Sequence, residues 1–236
     1  MTTFTSPATT PIVALDFADP EAALNMVEQL GQQCGFYKVG SELFTAAGPR
    51  IVRELRLRGC RVFLDLKLHD IPNTVARATA AAAALGVSIV TVHATGGEEM
   101  IRAAVTSAGE ACDIFAVTVL TSLSPDALSS VWGREAPDLD MTWEVVRLAE
   151  IARRSGARGV VCSGQEAAAV RTHFGGDIQL LIPGVRLPGS EAGDQARVVT
   201  PAEAASAGAS YIVLGRTVTS DPTPTAAMAR VVASLG

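Results

Sequence analysis

Eight short runs rich in Val, Ile and Leu recur along the chain, separated by stretches of helical periodicity. They are PIVALD (11–16), FYKVG (36–40), RVFLDL (61–66), SIVTVH (88–93), IFAVTVL (114–120), GVVCS (159–163), IQLLIP (178–183) and YIVLG (211–215). Helical patterns fall near 20–32, 42–58, 73–85, 98–109, 142–155, 165–172, 201–207 and 224–235. Strict alternation of this kind produces parallel sheets covered by helices, and eight units in 236 residues match a closed (β/α)8 barrel of roughly 250 residues. An open dinucleotide-binding sheet is disfavoured, because PIVALD runs into Asp19 and Pro20, a helix start, rather than a Gly-x-Gly-x-x-Gly turn. The expected organisation is a disordered or extended segment over 1–10 and a single α/β barrel over 11–236. Two irregular stretches, 121–141 and 184–200, follow the fifth and seventh strands on the face where barrel sites are built.

Charge and composition narrow the function. A formal charge of −5 and 5% aromatic residues leave neither a basic surface for nucleic acid or anionic membrane nor many stacking platforms for bases. Cys34, Cys60, Cys112 and Cys162 lie too far apart for a zinc or thioredoxin-like pair and read as reduced core residues. No signal-type or bilayer-length apolar run is present in the sequence, so a soluble, cytoplasmic protein is expected.

Arginine supplies seventeen of the nineteen cations; the two lysines are Lys38 and Lys67. A lysine offers a compact ammonium that fits between carboxylates and can release a proton, which a guanidinium cannot. Both lysines fall near strand ends. Asp16 ends the first run, Lys38 lies in the second, Asp65 and Lys67 end the third, and Asp70 follows. Strand residues two apart share a face at about 6.5–7 Å, so Asp65 and Lys67 are expected to project together. Lys38 and Asp70 would complete an alternating Asp/Lys set at one mouth of the barrel. An ammonium so flanked can protonate a carbanion, with Lys67 the candidate general acid. Asp65 and Asp70 are the carboxylates that would oppose a substrate carboxylate before it departs.

A second constellation suits phosphate. Gly215 and Arg216 follow the eighth run directly, IPGVR brings Arg186, and the long loop after it carries Gln195. His93 reads as a hydrogen-bonded barrel residue or pocket wall, His69 receives no role, and His173 reads as a surface residue at a helix end. Trp132 and Trp143 are expected to pack the region after the fifth strand.

The stretch FLDLKLHDIPNT (63–74) is similar to the Asp-x-Lys-x-x-Asp-Ile-Pro-Asn-Thr signature of the orotidine 5′-phosphate decarboxylase family. VALD, KVG, VTVLTS, IPGVR, GSEAGDQAR and VLGRTVT occur around it in the family's order, so the resemblance covers nearly the whole chain. It implies decarboxylation of orotidine 5′-phosphate to UMP without metal or organic cofactor. By position it places Asp16 and Lys38 on the ribose hydroxyls, with Asp65, Lys67 and Asp70 as the core of the charged network. Lys67 would deliver the proton to carbon six, Thr121 would meet the base edge, and Pro183, Arg186, Gln195, Gly215 and Arg216 would form the substrate and phosphate pocket. The resemblance also implies a homodimer in which Asp70, Ile71 and Thr74 reach the partner's site, and a 184–197 loop that closes over the base.

Two other readings share part of this pattern. The 3-keto-gulonate 6-phosphate decarboxylases and hexulose-phosphate synthases share the barrel and Asp-x-Lys-x-x-Asp, but use magnesium held by an acidic residue where this chain has Lys38. A non-catalytic phosphate-binding barrel would be expected to lack part of the charged set, all of which is present.

Overall fold

The computed structural model describes residues 9–133, 135, 139–188 and 198–235. Eight parallel strands close into a barrel in chain order: β1 (Thr10–Ala14), β2 (Phe36–Gly40), β3 (Arg61–Leu68), β4 (Ile89–His93), β5 (Asp113–Val117), β6 (Gly159–Val161), β7 (Gln179–Ile182) and β8 (Tyr211–Leu214). Closure is made by β1 against β8, with Ile12 opposite Val213. The expected (β/α)8 architecture is therefore the observed one.

Period-2 alternation sorts the strand residues into two cores. Val13, Tyr37, Val39, Val62, Leu64, Val90 and their neighbours face outward and pack beneath the helices. Ile12, Phe36, Phe63, Ile89, Phe115, Leu181 and Val213 face inward and fill the barrel. Phe36 and Phe115 both meet Tyr211 edge-on, at 6.0 and 5.8 Å between ring centres. Gly159 makes room for this plug: a Cβ there would lie 2.2 Å from the Phe115 ring. Burying one such ring contributes about 1.5–3 kcal/mol. All four cysteines are buried and none is in a disulfide, and burial pushes the Cys112 thiol up to about 12, helped by Asp113.

The helices are α1 (Pro20–Leu30), α2 (Ser41–Ala47), α3 (Pro49–Leu57), α4 (Pro72–Ala84), α5 (Gly97–Ala108), α6 (Pro125–Trp132), α7 (Met141–Arg154), α8 (Gly164–Phe174), α9 (Pro201–Ser206), α10 (Arg216–Thr219) and α11 (Pro224–Ser234). Asp19 caps α1, accepting from the Glu21 and Ala22 amides at 3.0 and 3.3 Å, with Pro20 in the first turn. The single helix expected over 42–58 is two, because Gly48 adopts φ +62° and Pro49 starts afresh. The stretch after β5 is not simply irregular. It holds α6, capped by Ser124, whose Leu128 is buried with Leu139 in the main core. Trp132 packs against that core, whereas Trp143 is half exposed with Arg147 above its ring. Among the described residues no helix is long and apolar enough to cross a membrane.

Candidate active site

The inward series that is apolar deep in the barrel becomes polar at its C-terminal mouth. Phe36 is followed two residues on by Lys38, Phe63 by Asp65, Ile89 by Thr91 and then His93, and Ala14 by Asp16. One rule of alternation therefore builds both the plug and the site above it.

Lys38 Nζ donates to Asp16 Oδ1 at 2.7 Å and lies 3.9 Å from Asp65 Oδ2. Lys67 Nζ donates to the same Asp65 Oδ2 at 2.7 Å. Asp65 is thus shared by two ammoniums, and its side chain is only 11% exposed, against 37% for Lys67. Screening by water is weak at such a carboxylate, so the attraction is stronger than in a surface pair. Gly40 keeps the space clear: a Cβ there would meet Lys38 Nζ at 2.9 Å and Asp16 Oδ1 at 3.3 Å.

Lys67 reaches Asp65 by a route that simple alternation does not foresee. Leu64 pairs with Val90 and Leu68 with Val92, so residues 65–67 stand opposite Thr91 alone. In this bulge Lys67 adopts φ +50°, the one left-handed non-glycine conformation among the described residues. For a residue with a Cβ that conformation costs about 1–2 kcal/mol, so neighbouring contacts must hold it.

Across the mouth, Arg186 and Arg216 approach each other from the β7 and β8 loops. Burial, and then the Arg216 charge, pull the Arg186 guanidinium below its ordinary value. Thr217 Oγ1 ties the two loops together by donating to the Val185 carbonyl at 3.3 Å, and within the β7 loop the Arg186 amide donates to the Val199 carbonyl at 2.9 Å. Two like charges brought together at a partly buried site make a receptor for a dianion.

A cavity of about 570 Å³ joins the two constellations, lined by Asp16, Lys38, Asp65, Lys67, Thr121, Pro183, Arg186, Gly215 and Arg216. Leu120, Ser122 and Thr219 also line it and escaped the sequence reading; their neighbours in VTVLTS and VLGRTVT were the available signal. Asp70, Ile71 and Thr74 do not line it. Asp70 is exposed, its Oδ1 accepting the Ile71 amide at 2.6 Å, and Ile71 is 66% exposed. A single chain therefore assembles Lys38, Asp65 and Lys67 of the alternating set but not Asp70. Gln195 lies outside the described residues, as does most of the 184–197 loop.

His69 and His93 stack beside the network with ring centres 5.4 Å apart. Burial, followed by the charges of His69 and Lys67, lowers the His93 pKa, opposed in part by Asp65. The unfolded chain, with an ordinary His value near 6.5, then binds the proton first as pH falls. Folded-state stability contributed by neutral His93 is complete above about pH 6.5 and is lost as pH drops toward the depressed folded value. The fall in Tm between about pH 7.5 and 5 is expected to be smaller in His93→Gln than in the wild type. Parallel Tm profiles would refute this assignment. His173 is exposed in the last turn of α8, as expected.

A barrel whose mouth joins a lysine–carboxylate network to an arginine pair defines a (β/α)8 enzyme with acid–base equipment. The family model described as Orotidine 5′-phosphate decarboxylase / HUMPS family matches residues 9–231. The chain belongs to that family. It is 50% identical over 222 residues to the orotidine 5′-phosphate decarboxylase of Anaeromyxobacter dehalogenans, covering 94% of this chain and 96% of that one. It is 47% identical over 232 residues to the enzyme of the same name from Moorella thermoacetica, covering 95% and 91%. The crystal structure of orotidine 5′-phosphate decarboxylase from Lactobacillus acidophilus superposes with a TM-score of 0.85 at 37% identity, covering 98% of this chain and all of that one.

Proposed function

We propose that this protein decarboxylates orotidine 5′-phosphate to UMP, with Lys67 protonating carbon six. The observation that carries the reading is Asp65, held between the Lys38 and Lys67 ammoniums in the cavity that also receives Arg186 and Arg216. The arginines bind the 5′-phosphate, Asp16 and Lys38 meet the ribose hydroxyls, and Thr121 meets the base edge. Asp65 opposes the departing carboxylate. As the bond from carbon six to the carboxylate carbon breaks, its electron pair stays on carbon six. Carbon dioxide leaves, and the Lys67 ammonium supplies the proton that completes UMP. The ammonium also stabilises the developing carbanion, which is electrostatic preorganisation rather than proton transfer alone.

A second copy completes the site by presenting Asp70, Ile71 and Thr74. What supports this is an exposed carboxylate and an exposed isoleucine side by side, at the start of α4, whose Ala80, Ala81 and Ala84 are also exposed. No cofactor is invoked. The magnesium-dependent branch of the family is opposed by Lys38, whose ammonium lies beside the carboxylate that the metal would need.

The test is direct: orotidine 5′-phosphate is mixed with the protein after exhaustive EDTA treatment, and loss of pyrimidine absorbance is followed. Turnover unchanged by EDTA is expected. Activity that depends on restored magnesium, or none at all, would overturn the reading.

A further inference from the structure

We propose that Thr91, a buried β4 residue outside the cavity lining, is a positioning residue that holds both members of the Asp65–Lys67 pair through one hydroxyl. The inference deepens the proposed function, because it rests on Lys67 being the proton donor.

Thr91 is fully buried, at 0% exposure, and its hydroxyl has two partners. Thr91 Oγ1 donates to Asp65 Oδ1 at 2.8 Å and accepts the backbone amide of Lys67 at 3.0 Å. A hydroxyl has one proton to give and two lone pairs, so one side chain can make both bonds at once. Each bond fixes something different. The bond to Oδ1 sets the rotation of the Asp65 carboxylate, which turns Oδ2 toward both ammoniums, 2.7 Å from Lys67 and 3.9 Å from Lys38. The bond from the Lys67 amide holds the residue in its left-handed conformation, inside the bulge where residues 65–67 face Thr91 instead of a regular ladder. Aim of the ammonium and orientation of its counter-ion thus depend on the same oxygen atom. At 0% exposure no bulk water stands ready to replace it.

A misplacement of about 1 Å at a reacting group costs on the order of 100-fold in rate. Thr91→Val keeps the shape and removes the hydroxyl. Its kcat is expected to fall about 100-fold while KM and UMP affinity stay close to wild type, because the arginine pair is untouched. Thr91→Ser keeps the oxygen and loses the methyl, and is expected to restore kcat to within about threefold of wild type. A crystal structure of Thr91→Val should show Lys67 Nζ beyond hydrogen-bond distance of Asp65, or its φ outside the left-handed region. Wild-type kcat in Thr91→Val with the pair intact would overturn the proposal. So would a serine variant as impaired as the valine one, since that would assign the effect to methyl packing. Wild-type protein assayed alongside separates the two ideas: if it leaves orotidine 5′-phosphate intact, the function falls, while the crystal structure of Thr91→Val still decides the clamp.

Discussion

Lys67→Ala is expected to lower kcat by about 10⁵-fold, the combined scale of a general acid and a preorganised charge, while UMP affinity changes by less than about tenfold. The split follows from geometry. Lys67 pairs with Asp65, whereas Arg186 and Arg216 stand on the β7 and β8 loops, so its removal leaves the arginine pair in place. Alanine also leaves Asp65 with Lys38 at 3.9 Å as its remaining cation, an imbalance that disfavours an additional carboxylate in the cavity. Single-turnover decarboxylation and UMP titration measure the two quantities separately. Substantial product formation by this variant would remove Lys67 as the proton donor. The same variant tests the shared site. Mixed after dissociation with Asp70→Ala, itself expected to be inactive, it should regain roughly a quarter of wild-type activity if the proposed dimer forms, because half the reassociated dimers would be hybrids with one intact site of two. No recovery on mixing would mean that Asp70 serves the site by some other route.

What could be read before the structure was what depends on buried apolar periodicity. All eight strands were legible because Val- and Ile-rich runs buried on both faces leave little choice of secondary structure, and their bounds differ by only a few residues from those read. The break at Gly48 was missed because a helical apolar pattern runs through it, although Gly-Pro was its local signal. Helix α6 was missed because its eight residues are too few to show a period, although Ser124 and Pro125 form a recognisable start. At the site, Asp65 and Lys67 were correctly paired through a geometry that is not the observed one: a bulge, not an even pleat, brings them together. Bulges come from register against a neighbouring strand, which a single strand's sequence does not encode. Thr91 carries no reading in the sequence beyond its place in the run SIVTVH. Its signal was position, since Ile89, Thr91 and His93 share one face and polarity begins at the second of them.

The other large effect is expected from Arg216→Ala, which should lower kcat/KM for orotidine 5′-phosphate by about 100-fold, the scale of a charge-assisted bond to phosphate worth up to ~3 kcal/mol. On the proposed mechanism, phosphate would lie far from the bond that breaks, so its binding energy would act remotely, holding the base against the Asp65–Lys67 pair and offsetting the opposition between Asp65 and the substrate carboxylate. Arg186 does not compensate. Burial already disfavours its charge, and the neighbouring Arg216 charge disfavours it further. Arg216→Lys is expected to recover part of the loss, because it keeps the charge and loses the planar fork. Orotidine without phosphate provides the control. Its slow turnover should be the same in wild type and Arg216→Ala to within about twofold, because the deleted side chain has nothing to grip in that substrate. Equal fractional losses for both substrates would mean instead that Arg216 supports the barrel mouth, and the phosphate would need another receptor.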